Sequence, residues 1–116
     1  MSQVKIWHNP RCRKSRERLK YLQDKNIDFE IIEYLKTGID PDDLSQIITN
    51  SGQEIRDFIR TNEADYKALN LKNKELSAEE FAKLAAEYPK LLQRPIVISG
   101  QKSILALPAD RIDDIL

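Results

Sequence analysis

Apolar positions along the chain gather into short runs, separated by breaks that contain proline or glycine. Val4-Lys5-Ile6-Trp7 is a β-type run ended by His8-Asn9-Pro10. A helical stretch follows to about Lys25, with Leu19 and Leu22 spaced to share a buried face. Pro10 is unsuited to a helix interior but suits a helix entry. Phe29-Glu30-Ile31-Ile32-Glu33-Tyr34 reads as a second strand, able to pair in parallel beside the first across the intervening helix. Thr37-Gly38 breaks the pattern. Asp40-Pro41-Asp42-Asp43 then has the form of a helix start, with Asp at the N-cap, Pro at the first position and acids in the first turn. Leu44, Ile47 and Ile48 supply the apolar face of that helix.

From Glu54 to about Tyr88 the pattern predicts helical pieces. Ile55, Phe58 and Ile59 sit at helical spacing in one. Ser77-Ala78-Glu79-Glu80 is a capping box for another, backed by Phe81, Leu84 and Ala85 and ended near Pro89. Arg94-Pro95-Ile96-Val97-Ile98-Ser99 reads as a third strand. Gly100-Gln101-Lys102 is a turn, and Ser103-Ile104-Leu105-Ala106 is a fourth strand that can close a hairpin on the third. Pro108 opens a last helix running through Ile112 to Leu116. The predicted order is βαβ, a helical block over about 41–90, then ββα. This is a single α/β domain over residues 1–116, with a four-stranded mixed sheet and the thioredoxin order of elements.

Composition agrees with one globular unit. The 116 residues are 41% hydrophobic and 33% charged, enough for one core and too few for two. No apolar run approaches the roughly 18 residues of a membrane span. Nineteen basic and nineteen acidic residues cancel, so no global field favours nucleic acid. The N-terminal segment lacks the apolar stretch of a secretory signal. Together with a lone cysteine, which permits no disulfide within the chain, this predicts a reducing, cytoplasmic setting.

The charge is uneven where it bears on chemistry. Arg11, Arg13, Lys14, Arg16, Arg18 and Lys20 crowd one segment, with Glu17 as its one acid. Cys12 lies inside this run, after a strand and a proline turn, where a helix begins. Free backbone N–H groups, the helix dipole and flanking guanidiniums all favour a thiolate, and such positions can lower a thiol pKa from about 8.5 to between roughly 3.5 and 7.5. The same groups suit a tetrahedral oxyanion, which the planar fork of arginine binds through two oxygens. A thiolate in an anion cradle points to nucleophilic attack on the centre of an oxyanion. Ser15, one turn along, is either a donor to the sulfur or a serine on the helix surface. His8, the single histidine, is an acid–base group, a charge partner of the thiolate or a structural residue. One Cys and one His do not make a metal site.

His8-Asn9-Pro10-Arg11-Cys12-Arg13-Lys14-Ser15-Arg16 resembles the signature of the arsenate reductase (ArsC) family of the glutaredoxin-coupled type. The resemblance extends through Ile31-Ile32-Glu33-Tyr34-Leu35, Ile55-Arg56-Asp57-Phe58-Ile59-Arg60, Tyr66-Lys67-Ala68-Leu69-Asn70-Leu71 and Arg94-Pro95-Ile96-Val97, essentially the whole chain. It implies a thioredoxin-like fold with a helical insertion and a cis peptide before Pro95. It implies that Cys12 attacks arsenate, that glutathione and glutaredoxin resolve the adduct, and that arsenite is released. Glutathione enters as a co-substrate, with no bound cofactor and no metal. By the same resemblance Arg60 and Arg94 hold the oxyanion and His8 supports the thiolate. Without it, Arg60 would read as an ordinary cation on a helix surface. A monomer without nucleic-acid or membrane partners is expected.

One departure stands out. The family usually has arginine before the proline that opens the last helix, whereas this chain has Leu107-Pro108. Arg111, about one turn later, is the candidate replacement. The departure keeps open a related thiol-redox enzyme acting on another substrate. A non-enzymatic regulator resembling Spx is the further alternative, although Ser15 stands where such proteins carry a second cysteine.

Overall fold

The structure, a computed structural model, describes residues 4–93, 95–106 and 109–116. Four strands form one mixed sheet: β1 (Val4–Trp7), β2 (Glu30–Ile32), β3 (Ile96–Ser99) and β4 (Lys102–Leu105), in the order β2-β1-β3-β4. β1 runs parallel to β2 and antiparallel to β3, and β3 and β4 form the expected hairpin. Its two-residue turn, Gly100-Gln101, uses a positive φ of 62° at Gly100, where a side chain would be strained.

The alternation of strand side chains divides the core into two layers. Ile6, Val97 and Ile104 lie opposite one another across β1, β3 and β4, and they face α1 (Arg13–Asp24) through Leu22 and the C-terminal 3-10 turn through Ile112 and Ile115. Trp7, Ile96 and Leu105, one position along, point to the other face. There they meet the insertion, namely α2 (Tyr34–Thr37), α3 (Pro41–Ser51), the 3-10 turn Ile55–Phe58, α4 (Ala64–Ala68) and α5 (Ala78–Glu87). Phe58, Phe81, Leu44 and Leu91 are fully buried in this layer, and the rings of Trp7 and Tyr34 stack at 5.9 Å between centroids. The helix ends follow the side-chain chemistry read from the sequence. Asp40 accepts from the Asp42 N–H at the start of α3, and Ser77 and Glu80 complete a reciprocal capping box on α5.

Three elements differ from expectation. The second strand is shorter than Phe29–Tyr34, because after Ile32 the N–H groups of Lys36 and Thr37 turn back to the Glu33 carbonyl and wind Tyr34–Thr37 into a helical turn. This buries Tyr34 and leaves Ile31 and Leu35 exposed. Ile55, Phe58 and Ile59 do not share an α-helix: the first two lie on a 3-10 turn, and Ile59 pairs with Leu92 as an isolated antiparallel bridge. The last helix is 3-10, Ala109–Asp114, and its expected opening at Pro108 lies outside the described residues. No described helix is long and apolar enough to cross a membrane.

Candidate active site

The turn between β1 and α1 is built from hydrogen bonds that its own residues supply. His8 N–H donates to the Ile32 carbonyl at 2.8 Å and carries the β1–β2 pairing one residue beyond the strand. Cys12 N–H returns to the Asn9 carbonyl at 3.0 Å, and Arg11 N–H reaches Asn9 Oδ1 at 3.0 Å. Asn9 is therefore buried while both of its oxygens are used. Arg16 N–H then donates to the Cys12 carbonyl at 3.0 Å, the first bond of the helix. Cys12 is thus the N-cap, in extended conformation with φ −94° and ψ 122°. Its side chain makes no capping hydrogen bond, and it stands beside a first turn whose leading N–H groups have no partner within the helix. That turn carries no acid.

Ser15 is fully buried, which excludes the helix-surface reading. Its Oγ lies 2.7 Å from His8 Nδ1 and accepts from the Asn9 N–H at 3.0 Å. Burial pushes the pKa of His8 below its ordinary 6.5. Arg16 acts in the same direction, while Glu33 and a hydrogen bond to Ser15 oppose it. The contact His8 makes at the site is its hydrogen bond to Ser15, which ties the end of β1 to the first turn of α1.

The flanking cations are exposed and partly engaged. Arg16 Nη1 folds back to the Pro10 carbonyl at 2.9 Å. Arg13 Nε pairs with Glu17 at 3.1 Å.

Arg60 reaches the site from the insertion. Its N–H donates to the Leu91 carbonyl at 2.8 Å and Gln93 N–H donates to the Phe58 carbonyl at 2.7 Å, around the Ile59–Leu92 bridge. This short antiparallel seam brings residues 59–62 and the start of α1 to one space. The result is a cavity of about 340 Å³ lined by Cys12, Arg13 and Lys14 from the start of α1, by Ile59, Arg60, Thr61 and Asn62 from the insertion, and by Gln93. The structure therefore brings Cys12 and Arg60 to one space, with His8 and Ser15 beneath the loop that carries the cysteine. Arg111 is exposed on the C-terminal 3-10 turn and is not among the described residues that line this space. Arg94, and with it the peptide bond into Pro95, lies outside the described residues, as does Leu107. Asn9, Thr61, Asn62 and Gln93 were not singled out from the sequence. Only Asn9 had a signal there, as half of an Asn-Pro turn dipeptide. Among the described residues no group of three or more His, Cys, Asp or Glu is placed to hold a metal.

A thiol at a helix start that shares a partly enclosed polar space with an arginine is suited to meet a small oxyanion. Several known proteins resemble the chain over its length. An arsenate reductase of Haemophilus influenzae is 40% identical over 97% of this chain and 98% of its own length. The uncharacterized protein YfgD of Escherichia coli K12 is 37% identical over 98% of this chain and 97% of its own. The solved structure of an arsenate reductase from Vibrio cholerae superposes with a TM-score of 0.90 at 36% identity, each chain covered completely. The family model of ArsC matches residues 7–115, a span that holds the cysteine turn, the insertion and the β3–β4 hairpin, and the chain belongs to the ArsC family.

Proposed function

We propose that the protein is an arsenate reductase in which Cys12 is the nucleophile and glutathione and glutaredoxin supply the reducing thiols. The observation that carries this reading is that Cys12 and Arg60 line the same small cavity. Relatives at 36–40% identity that bear the name arsenate reductase support it. Cys12 sulfur attacks arsenic, an As–OH bond breaks, and the hydroxyl leaves as water with the proton given up by the thiol, giving an S–As(V) adduct. Arg60 binds the remaining oxygens and stabilises their charge as the displacement proceeds. Glutathione then attacks the adduct. The S–As bond breaks with its electron pair on arsenic, arsenite leaves, and a mixed disulfide of Cys12 and glutathione remains. Glutaredoxin reduces that disulfide and restores the thiol. The external thiols are required because the chain holds no second cysteine.

The test is NADPH consumption in an arsenate assay coupled through glutathione, glutaredoxin and glutathione reductase. Turnover by the wild type that Cys12→Ser abolishes is the expected result. A wild type that turns over no arsenate under these conditions overturns the reading.

Leu107, in the place of a family arginine, favours a second reading: the same thiolate acting on a different substrate. Its signature is a wild type inactive on arsenate that gains activity as Leu107→Arg. The cytoplasm, with its glutathione pool, is the compartment that suits either reading.

A further inference from the structure

Arg60 has an ionic partner. Its Nη1 lies 3.3 Å from Glu63 Oε1, and the two side chains are 27% and 26% exposed. No other ion pair among the described residues has both partners less than a third exposed. The pair also sits on one tight turn. Glu63 N–H donates to the Arg60 carbonyl at 3.3 Å, and Arg60 N–H is tied to Leu91. Arg60, Thr61 and Asn62 line the cavity, whereas Glu63 does not. Glu63 is therefore the ionic partner of a cavity-lining residue without itself belonging to the lining. A guanidinium has five N–H donors in a planar fork, so a contact at one Nη leaves others for a ligand.

We propose that Glu63 sets the anion affinity of the Cys12 cavity: it holds Arg60 in place and offsets part of its charge, so that oxyanions bind more weakly than the bare arginine would bind them. This rests on the reading of that cavity as an oxyanion site. A sheltered charge is screened less than an exposed one, so a carboxylate against Arg60 reduces the attraction felt by a dianion several ångströms away. Tight binding of any ground-state anion does not by itself speed the displacement, so a moderated affinity loses nothing in the chemical step and hastens the release of anions that do not react. Glu63 is a positioning residue in this scheme and touches no reacting atom.

The charge effect separates from a purely structural one in Glu63→Gln, which keeps an oxygen able to accept from Arg60 and removes the charge. The probes are iodoacetate and iodoacetamide, reacting with Cys12 in the full chain. Their rate ratio reports the local field and is independent of the fraction of thiolate. Glu63→Gln should raise the iodoacetate-to-iodoacetamide ratio about fivefold. It should lower by a similar factor the inorganic phosphate needed to protect Cys12 from iodoacetamide, and lower KM for arsenate more than it changes kcat. Glu63→Asp should stay close to wild type. In an Arg60→Gln background Glu63→Gln should no longer tighten phosphate protection of Cys12, because the guanidinium that binds the anion is gone. A ratio that is unchanged or falls in Glu63→Gln, or phosphate protection that tightens equally without Arg60, overturns the proposal. A wild type inactive on arsenate, with the ratio still raised by Glu63→Gln, removes the reductase reading and leaves the role of Glu63 standing.

Discussion

His8 Nδ1 and Ser15 Oγ, 2.7 Å apart and both buried, join the end of β1 to the first turn of α1 beneath the loop that presents Cys12. The same hydroxyl oxygen accepts from Asn9 N–H, so one small side chain fixes the backbone on the approach to the cysteine. Replacing it strands a buried donor and removes the partner of a buried ring nitrogen. Ser15→Ala should therefore lower stability by roughly 1–3 kcal/mol, read as a shift in urea midpoint at unchanged slope. Alkylation of Cys12 should slow in the same variant, because its turn is less firmly held. A variant as stable as wild type would show that the contact carries no net energy.

The His8 imidazole gives the fold a defined response to acid. Burial holds its folded pKa below the 6.5 of the unfolded chain. Between those two values the unfolded chain binds more protons, so stability rises with pH across that window. The contribution is complete above about pH 6.5 and is lost progressively as pH falls toward the folded value, below which this group causes no further loss. Urea midpoints measured at a series of pH values should fall on acidification in this window. His8→Gln should flatten that part of the profile, and an equally steep decline in the variant would assign the slope to other groups.

Arg60 should matter to the anion and not to the thiol. Losing a charged hydrogen bond worth about 1.5–3 kcal/mol predicts a fall in kcat/KM for arsenate of roughly 10- to 100-fold in Arg60→Ala. The rate of Cys12 with neutral iodoacetamide should largely survive. Equal losses in both measurements would mean that Arg60 acts by shaping the loop instead of by binding the ligand.

Asp40, the N-cap of α3, provides a contrast remote from the cysteine. Its carboxylate accepts from Asp42 N–H at 3.0 Å, and Asp40→Ala should cost about 1 kcal/mol of stability in a urea titration. Cys12 alkylation should be unaffected. A slowed thiol in this variant would show that the insertion and the cysteine turn are energetically coupled over a longer range than the contacts imply.

Much of the fold could be read from local chemistry. The start of α3 follows from Asp40-Pro41 and that of α5 from the reciprocal Ser77–Glu80 bonds, because capping is decided within four residues. The β3–β4 hairpin follows from a glycine turn between two apolar runs. What escaped was decided elsewhere in the chain. Tyr34 leaves the strand pattern because a stacking partner, Trp7, waits on the sheet face. Ile59 leaves the helical pattern because Leu92 offers a bridge. At the site, the cysteine at a helix start was legible from residue order alone. The burial of Ser15 against His8 depends on how the intervening loop closes, and no spacing rule encodes it. The place of Arg60 was implied by family resemblance, since its own surroundings in sequence resemble any charged surface turn.

The seam at Ile59–Leu92 ties competence to foldedness. Arg60 follows directly on Phe58 and Ile59 and is hydrogen-bonded to Leu91, and Phe58, Leu91 and Leu92 are fully buried in the apolar layer of the insertion. Opening the seam would therefore give up core burial as well as two backbone hydrogen bonds, which places it toward the high end of local opening free energies. The amide hydrogens of Arg60 and Gln93 should exchange nearly as slowly as those of the core strands, and early exchange at these two positions would show that the guanidinium can leave the cavity while the fold stays intact.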